Sequence, residues 1–243
     1  MHIETNQLPE QCENQAALGV DLGIKTYATF SNGKIIANKQ PLKKQLKRLR
    51  RLQRKISRRQ KGSKNRLKAK MSLANMHYKI ANARSDFLHK LTTELTEQYK
   101  YIVIEDLDIS EMLQSKRLSR SIIDCGMYEF RRQLSYKASL RGNKLFIADR
   151  WYASSKRCSG CTKHKEKLQL SERTYVCEHC GLVLDRDLNA ARSLEQLLST
   201  VSSTGIDACG QDGSRVMLKT SPQPAWKKQE LSPVQILESG LDY

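Results

Sequence analysis

The spacing of apolar residues changes several times along the chain, and each change marks an element. Ala17-Leu-Gly-Val20 is a short apolar run that ends in the carboxylate of Asp21. Tyr27 to Phe30 and Lys34 to Ile36 follow, separated by the turn signal Ser31-Asn32-Gly33, so three strands in a meander are predicted. From Leu42 the spacing becomes helical: Leu42, Leu46, Leu49 and Ile56 repeat, with Lys or Arg in most positions between them. Gly62-Ser63 interrupts the pattern. A second helix is then expected over Asn65 to Gln98, with Leu73, Met76, Ile80, Phe87, Leu91 and Leu95 as its stripe. Tyr101-Ile-Val-Ile104 is the signature of a buried strand, closed by Glu105-Asp106. Helical spacing returns from Met127 to Leu140, Lys144 to Ala148 reads as a further strand, and a last helix runs from Arg186 to Leu198. Beyond Ser199 the chain is rich in Ser, Thr, Gly, Pro and Gln with no sustained period, so 201–243 is expected to be a disordered tail.

Charge adds what periodicity cannot. The 243 residues include 43 Lys and Arg against 25 Asp and Glu, a net charge of +18. Fifteen of the basic residues, and no acidic one, fall within positions 43–70, on the expected helical hairpin. A solvated helix face is the plainer reading, but such faces normally mix both signs. The excess points instead to a polyanion, because each neutralised phosphate releases condensed counterions. A membrane surface is the competing partner. Arg50, Arg51, Arg54, Lys55, Arg58, Arg59, Lys61, Lys64 and Arg66 are the candidate nucleic-acid contacts. No stretch approaches the ~18 apolar residues of a spanning helix, and Met1 to Gln15 lacks the apolar core of a signal peptide. A soluble, cytoplasmic protein is expected, nucleoid-associated if the cell is a prokaryote.

Four of the seven cysteines, Cys158, Cys161, Cys177 and Cys180, form two CxxC pairs with fifteen residues between them. Four thiolates on two tight knuckles suit tetrahedral Zn2+ at Zn–S distances of about 2.3 Å, and the gap suits a zinc ribbon. A full sulfur shell leaves no open position, so one structural Zn2+ is expected, supplying folding energy to a segment too small for its own core. Redox-active CxxC pairs are the competing reading. His164 and His179 are surplus to the shell and are expected on the surface, while Cys12, Cys125 and Cys209 read as buried or free thiols.

Three carboxylates occupy comparable places: Asp21 and Glu105 end strands, and Asp187 begins the last helix. Singly, each reads as a cap or surface charge. Together they offer hard oxygen ligands, and phosphodiester cleavage benefits from two cations about 4 Å apart. Gly19 and Gly23 flank Asp21, as a close backbone approach would require.

Gly19-Val-Asp-Leu-Gly-Ile-Lys-Thr-Tyr-Ala-Thr-Phe-Ser31 resembles the first RuvC motif of the TnpB (OrfB) proteins of insertion sequences, and Ile102-Val-Ile-Glu-Asp-Leu107 resembles the second. Cys177-Glu-His-Cys-Gly-Leu-Val-Leu-Asp-Arg-Asp-Leu-Asn-Ala-Ala-Arg192 is similar to their zinc knuckle running into the third, and Trp151-Tyr-Ala-Ser-Ser-Lys-Arg-Cys158 to their approach to the ribbon. The basic hairpin between the first two motifs matches as well, and the likeness covers 17–198. The resemblance implies an α/β, RNase H-like (RuvC) fold: a mixed five-stranded sheet with an inserted basic hairpin at 41–98 and a zinc ribbon at 158–183. The nuclease domain would comprise 17–157 and 184–200. It further implies an RNA-guided DNA endonuclease related to the type V CRISPR effectors, encoded by a mobile element, with DNA and a transposon-derived guide RNA as partners. The family's triad falls on Asp21, Glu105 and Asp187, with catalytic Mg2+ or Mn2+. Of the two aspartates near the last helix the family's ligand is the second, which leaves Asp185 a role as N-cap.

Two departures from the family pattern stand out. Thr162 follows the second cysteine, where these knuckles carry Gly. Family members also place a long guide- and target-engaging region ahead of the first motif, and here 1–16 would be only a remnant of it. Two expectations follow: weak or lost guided activity unless a separate N-terminal half or companion transposase supplies the region, and a first strand left partly uncovered. The alternative to a nuclease is a truncated, catalytically weak or inactive DNA- or RNA-binding remnant.

Overall fold

The computed structural model describes residues 16–169, 171–204 and 219–220. Strand β1 (Ala17–Leu22) pairs antiparallel with β2 (Thr26–Phe30), which pairs antiparallel with β3 (Ile35–Ala37). On its other side β1 runs parallel to β4 (Tyr101–Glu105), which runs parallel to β5 (Lys144–Ala148). Parallel neighbours need crossovers, and helices provide both. Helices α1 (Pro41–Ser57) and α2 (Lys64–Gln98) lie between β3 and β4; α3 (Ile109–Leu113), α4 (Ser119–Cys125) and α5 (Met127–Leu140) lie between β4 and β5. After β5 come the ribbon strands β6 (Thr174–Val176) and β7 (Val183–Asp185), then α6 (Arg186–Thr204).

The sheet is buried on both faces because its side chains alternate. Leu18, Val20, Ile102 and Ile104 face the main core, where Leu88, Leu91 and Leu95 of α2 and Phe130 and Leu134 of α5 cover them. The opposite face carries Val103 and Ala148, packed with Leu194 and Leu197 of α6. Gly19 lies on this second face. A Cβ there would sit 1.9 Å from the Ala191 carbonyl oxygen, so only glycine admits α6 this close. Leu18, Gly19 and Val20 are all buried, which corrects the expectation of an under-covered first strand. The α6 backbone, passing tightly over Gly19, supplies the cover.

The five expected strands are joined by a two-residue sixth, β8 (Lys219–Thr220), antiparallel to β5. A disordered tail from 201 is therefore corrected within the described residues: α6 continues to Thr204, and β8 adds to the sheet edge. The rest of that segment, like residues 1–15, lies outside the described residues. Helices α3 and α4, too short to establish a period, were not legible in the sequence.

The basic hairpin projects from this body. At 35 residues α2 spans about 50 Å. Its C-terminal half is core, while its N-terminal half pairs with α1 through Leu49, Met76 and Ile80, flanked by Leu42, Leu52 and Leu73. The base of the hairpin is fixed from outside. The buried Asp124 of α4 accepts hydrogen bonds from the backbone N–H of Leu42 (2.9 Å) and Lys43 (3.1 Å), neutralising orphan donors at the α1 N-terminus.

Candidate active site and cysteine knuckles

Parallel register sets the first two carboxylates. Gly19 pairs with Val103 and Val20 with Ile104, so one step further Asp21 and Glu105 stand side by side. Asp21 is two residues beyond Gly19, and Glu105 two beyond Val103, so both emerge on the α6 face of the sheet. Asp187 lies in the first turn of α6. Just ahead of it, Asp185 accepts from the backbone N–H of Asp187 (2.9 Å) and Leu188 (3.2 Å). That is the N-cap expected of Asp185, and it leaves the Asp187 carboxylate outside the capping bonds.

The electrostatics are those of crowded like charge. Burial pushes the Asp21 carboxyl well above its usual range, and Glu105, Asp187 and Asp185 push it further, opposed only in part by Arg186. Burial raises Glu105 as well, while the Ser154 hydroxyl, donating to its Oε1, pulls it back. Asp187 has Arg186 at 3.6 Å and Arg173 at 3.9 Å, both loose. The neighbouring acids are engaged elsewhere: Asp106 pairs with Arg131 at 2.6 Å, and Asp108 caps α3 and pairs with Arg150 at 2.7 Å.

Ser154 is a site residue that the sequence did not single out. It lies in the stretch leading to the first knuckle, is 3% exposed, and spends its hydroxyl on Glu105. In the same stretch the Tyr152 hydroxyl donates to the Ser193 carbonyl of α6 at 2.9 Å, and burial pushes its pKa up to about 12. The likeness of Trp151–Cys158 to the family's approach to the ribbon marks the stretch, but only the tertiary contact shows what Ser154 touches.

The four cysteines converge as their spacing predicts. Their sulfurs all lie within 4.8 Å of one another, with Cys158 to Cys180 and Cys161 to Cys177 each at 3.6 Å. Four ligands about 2.3 Å from one ion at tetrahedral angles would stand about 3.8 Å apart, so the quartet is compatible with zinc. Among the described residues this is the one group of potential ligands drawn together so tightly; the carboxylates are set more loosely. Backbone N–H groups of Cys180 and then His179 lower the Cys177 thiol to about 6, against a smaller opposing effect of burial.

The two knuckles repeat one backbone design. Thr162 N–H donates to the Cys158 carbonyl at 2.9 Å, and Gly181 N–H to that of Cys177 at 3.0 Å. Cys158 N–H in turn donates to Lys163 O, and Cys177 N–H to Leu182 O, both at 2.9 Å. Each turn ends in the left-handed region, with φ 73° at Gly181 and 62° at Thr162. The threonine thus adopts the glycine's conformation. His164 and His179 are exposed, as expected of surplus residues, and Cys125 is buried; Cys12 and Cys209 lie outside the described residues.

The first knuckle is fastened to α6. The buried Asn189 side chain accepts from Ser159 N–H at 2.9 Å and donates to Arg157 O at 2.7 Å, and Ser193 Oγ donates to the same carbonyl at 3.0 Å. From the second knuckle, β7 runs directly into α6, and Arg186 N–H donates to Arg173 O at 2.7 Å. The ribbon therefore holds the helix that carries Asp187. Far from these sites, Arg50, Arg51, Arg54, Lys55, Arg58, Lys61 and Lys64 are exposed along the hairpin; Arg59 and Arg66 are half-buried, with Arg66 donating to the Arg59 carbonyl at 3.0 Å.

Residues 1–116 match the OrfB_IS605 family, described as a probable transposase, and residues 128–194 match the Cas12f1-like TNB domain. A "Putative RNA-guided DNA endonuclease" of Streptomyces pristinaespiralis is 40% identical over 206 residues, covering 85% of this chain and 50% of the relative. InsQ of Escherichia coli K12, with the same description, is 35% identical over 80% of this chain and 50% of its own length. The chain thus spans about half the length of these curated relatives. Among solved structures, a Cas12f1–sgRNA–target DNA complex matches 78% of this chain and 40% of its own with a TM-score of 0.54 at 19% identity, a likeness of fold. No helix among the described residues is long and apolar enough to cross a membrane.

Proposed function

The chain belongs to the OrfB (TnpB) family of insertion-sequence proteins, and from that premise we propose that it carries a divalent-metal-dependent, RuvC-like DNA endonuclease centre, RNA-guided as its relatives are named and associated with transposition. What supports this reading is the crowding of like charge on the buried Asp21 carboxyl by Glu105, which ends β4, and by Asp187 in the first turn of α6. Crowded carboxylates, opposed in part by one arginine, are a donor set suited to hard Mg2+ or Mn2+. Asp21, Glu105 and Asp187 would hold such cations, which would supply activation of a water and stabilisation of the leaving oxygen of a phosphodiester.

The chain's own residues do the rest. Ser154 holds Glu105 in one orientation, and Asp185, by capping α6, keeps Asp187 free for the metal. The hairpin arginines and lysines hold the sugar-phosphate backbone by charge, without reading sequence. Cys158, Cys161, Cys177 and Cys180 would hold one structural Zn2+, whose role would be to stabilise the ribbon rather than to take part in chemistry.

The test is a cleavage assay with purified full chain, Mg2+ and candidate transposon-end RNA on matched and scrambled duplexes. Metal-dependent cutting abolished by Asp21→Ala supports the centre, and cutting of only the matched target supports guidance. Cleavage that survives Asp21→Ala overturns the assignment.

A further inference from the structure

Trp151 is 87% exposed, the most solvent-facing of the large apolar side chains among the described residues. Exposing an indole forgoes the burial that such a side chain gains elsewhere, which asks for a compensating role. Its place in the chain is specific. Three residues before it, Ala148 is the register partner of Glu105 on the neighbouring strand. Three residues after it, Ser154 hydrogen-bonds the Glu105 carboxylate. The loop therefore starts and ends beside Glu105: the Trp151 Cα lies within about 11 Å of the Ser154 Cα, the reach of three extended residues, and the Ser154 side chain bridges on to that carboxylate.

The loop is also held rigid around its tip. Asp149 accepts from the Trp151 backbone N–H at 2.9 Å, Arg150 pairs with Asp108 at 2.7 Å, and Tyr152 is tied to Ser193 of α6 at 2.9 Å. Every neighbour of Trp151 is committed to the protein, while the indole itself is presented to solvent. A fixed, exposed aromatic face beside carboxylates that would act on a phosphodiester fits an unpaired base, since every base offers a π-face to stack on.

We infer that Trp151 is a base-stacking platform for single-stranded DNA, seating the strand so that a backbone phosphate next to the stacked base lies at Asp21, Glu105 and Asp187. This rests on the nuclease reading above for what is cut, but not for the stacking itself. The hairpin supplies sequence-blind attraction along the backbone, and Trp151 supplies register at the site.

The chain has two tryptophans, Trp151 and Trp226, so Trp226→Phe leaves the platform as the sole indole fluorophore. With no divalent cation added, this variant is titrated with oligothymidylate and with an abasic oligonucleotide of equal length and charge. Quenching that saturates with oligothymidylate and is several-fold weaker with the abasic strand is expected. Trp151→Ala should weaken oligothymidylate binding about 5- to 100-fold, and Trp151→Phe much less, as loss of one base–aromatic stack predicts. Binding without any response of Trp151, or equal quenching by the abasic strand, overturns this inference and leaves the nuclease reading standing. A drop in thermal midpoint in Trp151→Ala also overturns it, because the indole would then be covered by the protein's own chain. Failure to bind either strand overturns both readings together, whereas quenching in a protein that cuts no DNA removes the nuclease reading alone.

Discussion

Thr162 shows how a single backbone angle can be read as chemistry. A β-branched residue at φ 62° does what Gly181 does at φ 73° in the second knuckle. The left-handed region costs an L-residue roughly 1–2 kcal/mol, offset in part by the greater chain entropy of glycine. Thr162→Gly should therefore stabilise the ribbon by about 1 kcal/mol and slow zinc transfer to a chromogenic chelator by about fivefold. Faster transfer would mean that the threonine side chain contributes something its backbone position does not reveal.

Asp21 carries the opposite kind of strain, in charge. A carboxyl whose folded pKa is raised favours folding below its ordinary value of 3.8 and loses that contribution as pH climbs through the raised value. Without added divalent cation, the thermal midpoint should fall as pH rises from the acid side towards neutrality. Asp21→Asn should flatten this dependence and raise the midpoint at pH 7 by roughly 2–4 °C, the effect of ~1 kcal/mol at this size. The same substitution should abolish Mg2+-dependent cleavage, as expected where function is retained at a cost in stability. An Asn variant no more stable than the parent at pH 7 would show that the crowding at this site is relieved in some other way.

Among the elements, the hairpin is the one whose function follows from its shape. Its seam of Leu49, Met76 and Ile80 is narrow, leaving the other faces to a run of fifteen basic residues with no acid for pairing along the helix. Substituting Arg50, Arg51, Arg54 and Arg58 by Gln should weaken all DNA and RNA probes by similar factors. It should also reduce the slope of log affinity against log salt by roughly 3, four contacts at 0.7–0.9 each. A loss confined to one probe sequence would indicate direct base readout instead. The element α6 acts differently, as a strut. Its glycine-enabled approach to β1 and its Asn189 clamp on the first knuckle fix where its N-terminus, and so Asp187, can stand.

At the scale of the whole molecule, the ribbon and the sheet are coupled through that strut. Cys177→Ser should lower zinc from about one ion per chain and reduce cleavage at least tenfold, although no ribbon cysteine touches a carboxylate. The main core around Leu18, Val20, Ile102 and Phe130 is built without the ribbon, so far-UV circular dichroism should change little. Full cleavage by a zinc-depleted protein would show that α6 keeps its place unaided.

The sequence by itself determined whatever rests on local repetition and fixed spacing. Apolar runs and turn signals pointed to β1 to β5, the 3.6-residue period to the hairpin and α5, and two CxxC pairs to the knuckles, because each signal is complete within a few residues. Motif order pointed to Asp185 as the cap of α6, and its carboxylate accepts from the first backbone N–H groups of that helix. Other features depend on contacts between segments far apart in the chain. Ser154 reaches Glu105 across 49 positions, Asp124 caps α1 across 82, and α6 closes on Gly19, covering the strand that sequence alone would leave exposed. Asp124 carries no mark in its own neighbourhood, and the motifs around Ser154 and Gly19 do not say what those residues touch. Only the packing of α6 on the sheet lets the charge of Asp187 act on Asp21, since register aligns neighbouring strands but cannot place a helix that arrives from the far end of the chain.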